Sequence, residues 1–190
     1  MSEIKAKIQR TYPRTFILDE HTEISIRLMI PADTHRIVTF ARSLPEDDLL
    51  YLRRDITKLN VVAQWGQDIK EGRTVTLLGE VGTEIVGYAS LHHNEVTWQR
   101  HLGEIRMQVG PGYRSRGLGR ALGEEIFAIA GDLGLSKIIA QMTPDQKGVI
   151  VIVERLGFRK EAVLHNFVID RANHMRDLIV MSYDLPDSAA

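Results

Sequence analysis

The chain has 190 residues, 44% of them hydrophobic and 26% charged, with a formal net charge of −1. That is the composition of one soluble globular domain, and it excludes the basic field of a nucleic-acid binder. There is no cysteine, which excludes disulfides, thiolate metal ligands and a cysteine nucleophile and fits a cytoplasmic protein. No apolar run approaches the ~20 residues of a membrane span. The start, Met1-Ser2-Glu3-Ile4-Lys5, lacks the apolar centre of a signal peptide. The polar or small ends, residues 1–10 and 186–190, are expected to be loose, leaving a single domain over residues 11–185.

Thr15-Phe16-Ile17-Leu18 and Glu23-Ile24-Ser25-Ile26-Arg27 read as strands around the polar turn Asp19–His21. Pro31-Ala32-Asp33 starts a helix that runs to about Ser43, with Ile37, Val38, Phe40 and Ala41 on its apolar side, and Pro45 breaks it. A second helical region falls within residues 46–70, where Val62, Trp65 and Ile69 have helical spacing. Within and beside it, Asp47-Asp48 and Arg53-Arg54 read as solvated helix charges, which would matter only if residues 43–55 border a substrate groove. Thr74–Glu80 and Glu84–His92 form a hairpin that turns at Gly82-Thr83. Gly103–Val109 is the next strand. His92, His93 and His101 read as polar loop histidines, since further ligands at metal-binding spacing are missing; no metal is expected.

Residues 109–120, Val-Gly-Pro-Gly-Tyr-Arg-Ser-Arg-Gly-Leu-Gly-Arg, carry the most information. A strand enters a Pro/Gly turn, and a helix follows whose buried stripe is Leu118, Ala121, Leu122, Ile126, Ile129, Ala130 and Leu133. The first N–H groups of a helix have no internal partner, and the helix dipole is positive there. Gly117 and Gly119 let a ligand approach the backbone, and Arg114, Arg116 and Arg120 add charge suited to phosphate. The turn is not a P-loop, because Leu118 stands where the lysine is needed. It is not a dinucleotide fingerprint either. The third glycine would fall at Leu122, and the expected acid about 20 residues on is absent.

Gly134 ends the helix. Lys137–Met142 reads as a strand, and a short helix with the stripe Val149, Ile152, Val153 and Leu156 ends in Leu156-Gly157-Phe158. Ala162–Ile169 and Arg176–Tyr183 read as strands joined by residues 170–175. Mixed strands and helices with adjacent hairpins predict an α+β fold.

The pattern Arg114-x-x-Gly117-x-Gly119 between a strand and a helix, with the hairpin before it and Leu-Gly-Phe after it, resembles the Gcn5-related N-acetyltransferase (GNAT) superfamily. The resemblance covers roughly residues 24–185. Glu104, and less specifically Tyr12-Pro13 and Arg27 with Pro31-Ala32-Asp33, resemble a bacterial group of protein-lysine acetyltransferases within it. The resemblance implies a mixed, mostly antiparallel sheet flanked by helices, and acetyl transfer from acetyl-CoA to an amine. The backbone at Gln108 and Val109 would pair with pantetheine, and residues Arg114, Arg116, Gly117, Leu118, Gly119 and Arg120 would hold the pyrophosphate. Gln146 stands where relatives have an asparagine, with a longer reach toward pantetheine or backbone.

An amine is protonated at pH 7 and must lose a proton to attack. The resemblance assigns that base to Glu104; a salt bridge to Arg106, on the same strand face, is the competing role. Relatives carry a tyrosine acid where this chain has Val153, so the thiolate would take its proton from water. Tyr113 would serve only if its turn folded inward. The acceptor implied first is a protein lysine, then a small-molecule amine. Loss of the tyrosine and the asparagine leaves room for a non-catalytic acyl-CoA sensor. The oligomeric state is left open, a homodimer included.

Overall fold

The computed structural model describes residues 6–20, 22–50, 52, 54–170 and 172–186. Among these, apolar alternation produces eight strands in one sheet of order β1-β2-β3-β4-β5-β6-β8-β7. β1 (Arg14–Asp19), β2 (Thr22–Leu28), β3 (Thr74–Val81), β4 (Glu84–His93) and β5 (Leu102–Val109) form an antiparallel run. β6 (Lys137–Met142) joins β5 in parallel and β8 (Met175–Asp184) in antiparallel register, and β7 (Arg159–Ile169) closes the far edge on β8. The sheet is therefore mixed and mostly antiparallel.

Side chains on successive strand residues face opposite ways, so the strands feed two cores. On one face, Leu77 and Leu91 meet Leu118, Leu122, Ile126 and Ile129 of α4 (Leu118–Asp132), all fully buried. On the other, Leu78 and Tyr88 meet Ile37 and Phe40 of α1 (Thr34–Ser43) and Trp65 of α3 (Leu59–Lys70). The helix expected from Pro31 begins as a 3-10 turn, Pro31–Asp33, and becomes α-helical at Thr34. The region 46–70 splits into a one-turn helix, α2 (Glu46–Leu49), and α3. No helix of the described residues is long and apolar enough to cross a membrane.

α4 lies close on the sheet because β3 and β4 present glycine beneath it. A Cβ at Gly79 would fall 3.0 Å from Leu118 Cδ1, and one at Gly87 3.2 Å from Leu118 Cδ2. Three chains of the N-terminal segment reach the same helix. Arg10 and Arg14 each donate to Glu125 Oε1 at 2.9 Å, and Tyr12 donates to Oε2 at 2.9 Å. Burial, and then the Glu125 carboxylate, keep the Tyr12 hydroxyl protonated.

Arg27 fixes the entry to α1. It donates to Asp33 Oδ1 at 2.7 Å and Oδ2 at 2.8 Å, and to both oxygens of Glu80. Asp33 also accepts from the Ile30 N–H at 3.0 Å. Burial alone would raise the Asp33 pKa, but the Arg27 hydrogen bonds, the Ile30 N–H and Arg36 outweigh it and hold it below the ordinary range.

Candidate active site

β5 and β6 pair only from Leu102–Glu104 to Lys137–Ile139. Beyond that register both strands continue and part, and α5 (Lys147–Arg155) flanks the opening. The space between them is a cleft of about 800 Å³, within the usual size range for small-molecule sites. Its strand wall presents backbone groups that β6 does not pair. The Gly110 N–H donates to Val86 O at 2.8 Å, so even-numbered residues of β5 bond toward β4. By alternation, the N–H and C=O groups of Met107 and Val109 face the cleft. The Val109 carbonyl accepts from Arg114 Nε at 3.0 Å.

One face of the same strands carries three polar cross-strand pairs, Tyr88 with Gln108, Ser90 with Arg106 and His92 with Glu104. All six residues line the cleft. Their bases are fixed from beneath. Ser90 Oγ lies 3.0 Å from Thr76 Oγ1, which accepts from Trp65 Nε1 at 3.1 Å, and His92 Nδ1 lies 2.9 Å from Thr74 Oγ1. Of this stripe the sequence singles out His92, Glu104, Arg106 and Gln108. Tyr88 and Ser90 are common strand residues whose shared face appears only once β4 and β5 are paired.

Glu104 lies in the cleft wall with its side chain 18% exposed, and Arg106 Nε donates to its Oε1 at 3.1 Å. The salt bridge and the cleft position thus occur together. Gln108, Val109, Arg114 and Gln146 also line the cleft. Gln146 Oε1 accepts from the Thr143 N–H at 3.0 Å, so part of its amide shapes the loop that carries it.

Arg116, Gly117, Leu118, Gly119 and Arg120 lie beside the cleft, at the start of α4. Gly117 has φ +96° and is the residue before the helix. That left-handed conformation suits glycine. The first N–H to bond back is that of Ala121, to Gly117 O at 3.0 Å. The N–H groups of Leu118, Gly119 and Arg120 therefore precede the hydrogen-bond ladder. The Leu118 side chain is fully buried, which leaves only its backbone for a ligand. A Cβ at Gly119 would sit 3.5 Å from Ile152 Cδ1 and Met107 Sδ and 3.7 Å from Val109 Cγ2. All three neighbours line the cleft.

Each arginine of the turn already meets a carboxylate. Arg114 pairs with Asp48, Arg116 Nε donates to Asp19 Oδ2 at 3.0 Å, and Arg120 Nε donates to Glu124 Oε1 at 2.7 Å. The phosphate attraction of this turn therefore rests first on backbone N–H groups. An elongated cosubstrate with a peptide-like arm and a pyrophosphate fits these features. The Met107 and Val109 backbone offers partners of the kind such an arm would need, and the N–H groups at the start of α4 offer those a pyrophosphate would need.

Several expectations change. His92 and His93 belong to β4 and are not loop residues: His92 ends the expected strand, and His93 joins because the strand runs one residue further; His93 is buried, at 8% exposure. Asp48 is half-buried and ion-paired, and Arg54, exposed as expected, lies outside a helix and is ion-paired too. Asp48 meets Arg114, Arg54 donates to Asp68 Oδ2 at 2.8 Å, and both residues line the cleft. Arg53 and His21 lie outside the described residues. Val153 is core, at 4% exposure. Tyr113 packs under Arg116, 5.4 Å from ring centroid to guanidinium, and is not among the residues of the cleft. The cleft tyrosine is Tyr88, whose pKa burial pushes up to about 12.

A family model described as the acetyltransferase (GNAT) family matches residues 38–158. Solved structures share the whole fold. The ribosomal-protein-S5-alanine acetyltransferase of Vibrio fischeri superposes with a TM-score of 0.76 at 18% identity, covering 93% of this chain and 100% of that one. A ribosomal-protein-alanine N-acetyltransferase of Brucella melitensis gives 0.74 at 23% identity, over 84% and 99% of the chains. A phosphinothricin acetyltransferase of Sinorhizobium meliloti, solved with acetyl-CoA, gives 0.73 at 20% identity over 85% and 88%. At these identities the likeness is one of fold.

Proposed function

The chain belongs to the acetyltransferase (GNAT) family, and from that premise we propose that it transfers acetyl from acetyl-CoA to a protein lysine, with Glu104 as the base. The observation that carries this reading is the parting of β5 and β6, which sets Glu104 in the wall of a cleft whose mouth is the start of α4. Bound acetyl-CoA supplies the thioester whose C–S bond breaks as the amine N–C bond forms. The Met107 and Val109 backbone, with Gln108 and Gln146 alongside, holds the pantetheine arm. The N–H groups of Leu118, Gly119 and Arg120 hold the pyrophosphate, where the helix dipole favours negative charge. Arg114, Arg116 and Arg120 add positive charge around it, screened by their carboxylate partners.

Glu104 takes the ammonium proton, which frees the lone pair that attacks. Arg106, 3.1 Å away, holds the carboxylate in place. The departing thiolate takes a proton from water, since the buried valine at position 153 carries none to give. The reaction is placed in a single domain over residues 11–185 and in the cytoplasm, which the lack of cysteine fits.

Lysine is our choice because Glu104, and less specifically Tyr12-Pro13 and Arg27 with Pro31-Ala32-Asp33, resemble the protein-lysine group. The neighbours with this fold include enzymes named for ribosomal protein alanines and for phosphinothricin, so the acceptor has to be measured. The test is acetyl-CoA consumption over lysine peptides, N-terminal alanine peptides and small amines. Preferred turnover of lysine peptides is the expected result. Preferred turnover of small amines would overturn the lysine assignment, and no turnover with any amine would overturn the enzyme reading.

A further inference from the structure

A second, smaller pocket takes no part in the steps above. It measures about 230 Å³ and is lined by His93, Thr97, Gln99 and Leu102 together with His92 and Glu104. His92 and Glu104 also line the large cleft. The two spaces therefore meet at the wall that carries the base. The cofactor turn lies at the other end of β5, since the six residues from Glu104 to Gly110 span roughly 20 Å of strand. A pantetheine arm entering from that turn leaves the loop between β4 and β5, residues 94–101, as the open approach to Glu104.

That loop carries an unusual surface. Val96 is 91% exposed and Trp98 85%, and Trp98 stands between the pocket residues Thr97 and Gln99. A large aromatic beside a second exposed apolar side chain, at the rim of a polar pocket, is the composition of a binding rim. His93 bounds the pocket with both ring nitrogens buried. Burial lowers the His93 pKa, with Glu95 and the Gly72 backbone acting against it. The lining that an entering ammonium meets is the Glu104 carboxylate, with His92 beside it on the same face of the paired strands.

We propose that this pocket admits the acceptor lysine, and that Val96 and Trp98 grip apolar residues that flank it in the acceptor polypeptide. The inference rests on the protein-lysine reading of the same site. A polypeptide is the occupant because the rim lies outside the pocket, beyond the reach of a lone alkylamine seated at Glu104. An apolar flank meets the rim where an aromatic anchor contributes most.

Three acceptors test it: a capped pentapeptide with leucine on both sides of its lysine, the same peptide with glycine on both sides, and butylamine. The leucine peptide should show a kcat/KM roughly fivefold or more above the glycine peptide, about 1 kcal/mol. The ratio should fall to about one in the double variant Val96→Ser, Trp98→Ser. Ile17→Ser, which removes an apolar side chain 78% exposed on β1, should keep it. Binding has its own readout. The chain has two tryptophans and Trp65 is buried, so acrylamide quenching reports Trp98, and the leucine peptide should shield it in the presence of CoA. Equal kcat/KM for the two peptides, or a preference that survives the double variant, would overturn the proposal and leave the lysine assignment standing. Turnover of butylamine with neither peptide would overturn both.

Discussion

Glu104 sits beside Arg106 and in the wall of a cleft, and those two surroundings give its substitution a clear signature. Glu104→Gln keeps the size and a hydrogen-bond acceptor for Arg106 but removes the base. The expected result is a kcat lower by roughly 10²-fold or more, with CoA affinity by calorimetry close to that of the parent. Wild-type kcat across pH would leave Glu104 a structural partner of Arg106. Tyr88 gives the opposite expectation. Its ring lies 5.1 Å from Trp65 and 6.3 Å from Phe40 by centroid, and burial keeps its hydroxyl protonated. If water protonates the thiolate, Tyr88→Phe holds kcat within about threefold, well short of the 10²-fold typical of a lost general acid. A larger drop would make Tyr88 the acid. Val153 was legible as the vacant tyrosine position and as part of an apolar stripe, and its burial confirms the stripe. The partners of the turn arginines were not legible. Asp48 is 66 positions from Arg114 and Asp19 is 97 from Arg116, and no local pattern joins residues so far apart.

At the scale of elements, the junction between β5 and α4 depends on backbone conformation. Gly117→Ala places a Cβ at φ +96°, where nothing nearer than 4.0 Å crowds it. The cost is therefore torsional, about 1–2 kcal/mol, and should appear as an earlier urea midpoint with an unchanged slope. The same helix is tied to the N-terminal segment by Glu125, whose side chain is 4% exposed while those of Arg10 and Arg14 are 40% exposed. Removing the acid strands two cations that can recover water, which limits the cost relative to the usual loss for a broken buried pair. Strand periodicity made the elements readable: each of the eight strands overlaps an expected one, and the central helix starts at Leu118 as its three- and four-residue steps indicate. The order of the sheet did not follow from it. β7 pairs at the outer edge of β8, and an edge strand exposed on much of both faces has no apolar face to mark where it starts. That is why Arg159 to Glu161 lay outside the expected strand.

Across the whole molecule, pH dependence separates two kinds of buried group. Asp33 and Asp68 are held below the ordinary carboxylate range, in each case by arginines that overcome the effect of burial. Their contribution is present above the unfolded value of about 3.9 and is lost as pH falls through the lower folded values. His93 is a base whose folded pKa is lowered, by burial first. The unfolded chain binds its proton first, so stability declines as pH falls from about 6.5 toward the folded value. The expected acid profile is a shallow loss below about pH 6.5 and a steep one below about pH 4. His93→Leu should remove the shallow limb and leave the steep one. A shallow limb retained in that variant would assign it elsewhere.

The account as a whole requires that the junction of β5 and α4 hold a CoA pyrophosphate and pantetheine arm. Gly119→Glu tests that requirement directly. Its Cβ is accommodated at 3.5 Å from Ile152 and Met107, so the fold should persist, while the rest of the side chain enters the cleft between β5 and α5 and brings negative charge to the phosphate site. Calorimetry of CoA binding to the folded variant should show at least a tenfold loss of affinity, about 1.4 kcal/mol. A folded Gly119→Glu protein that binds CoA as tightly as the parent would contradict the account.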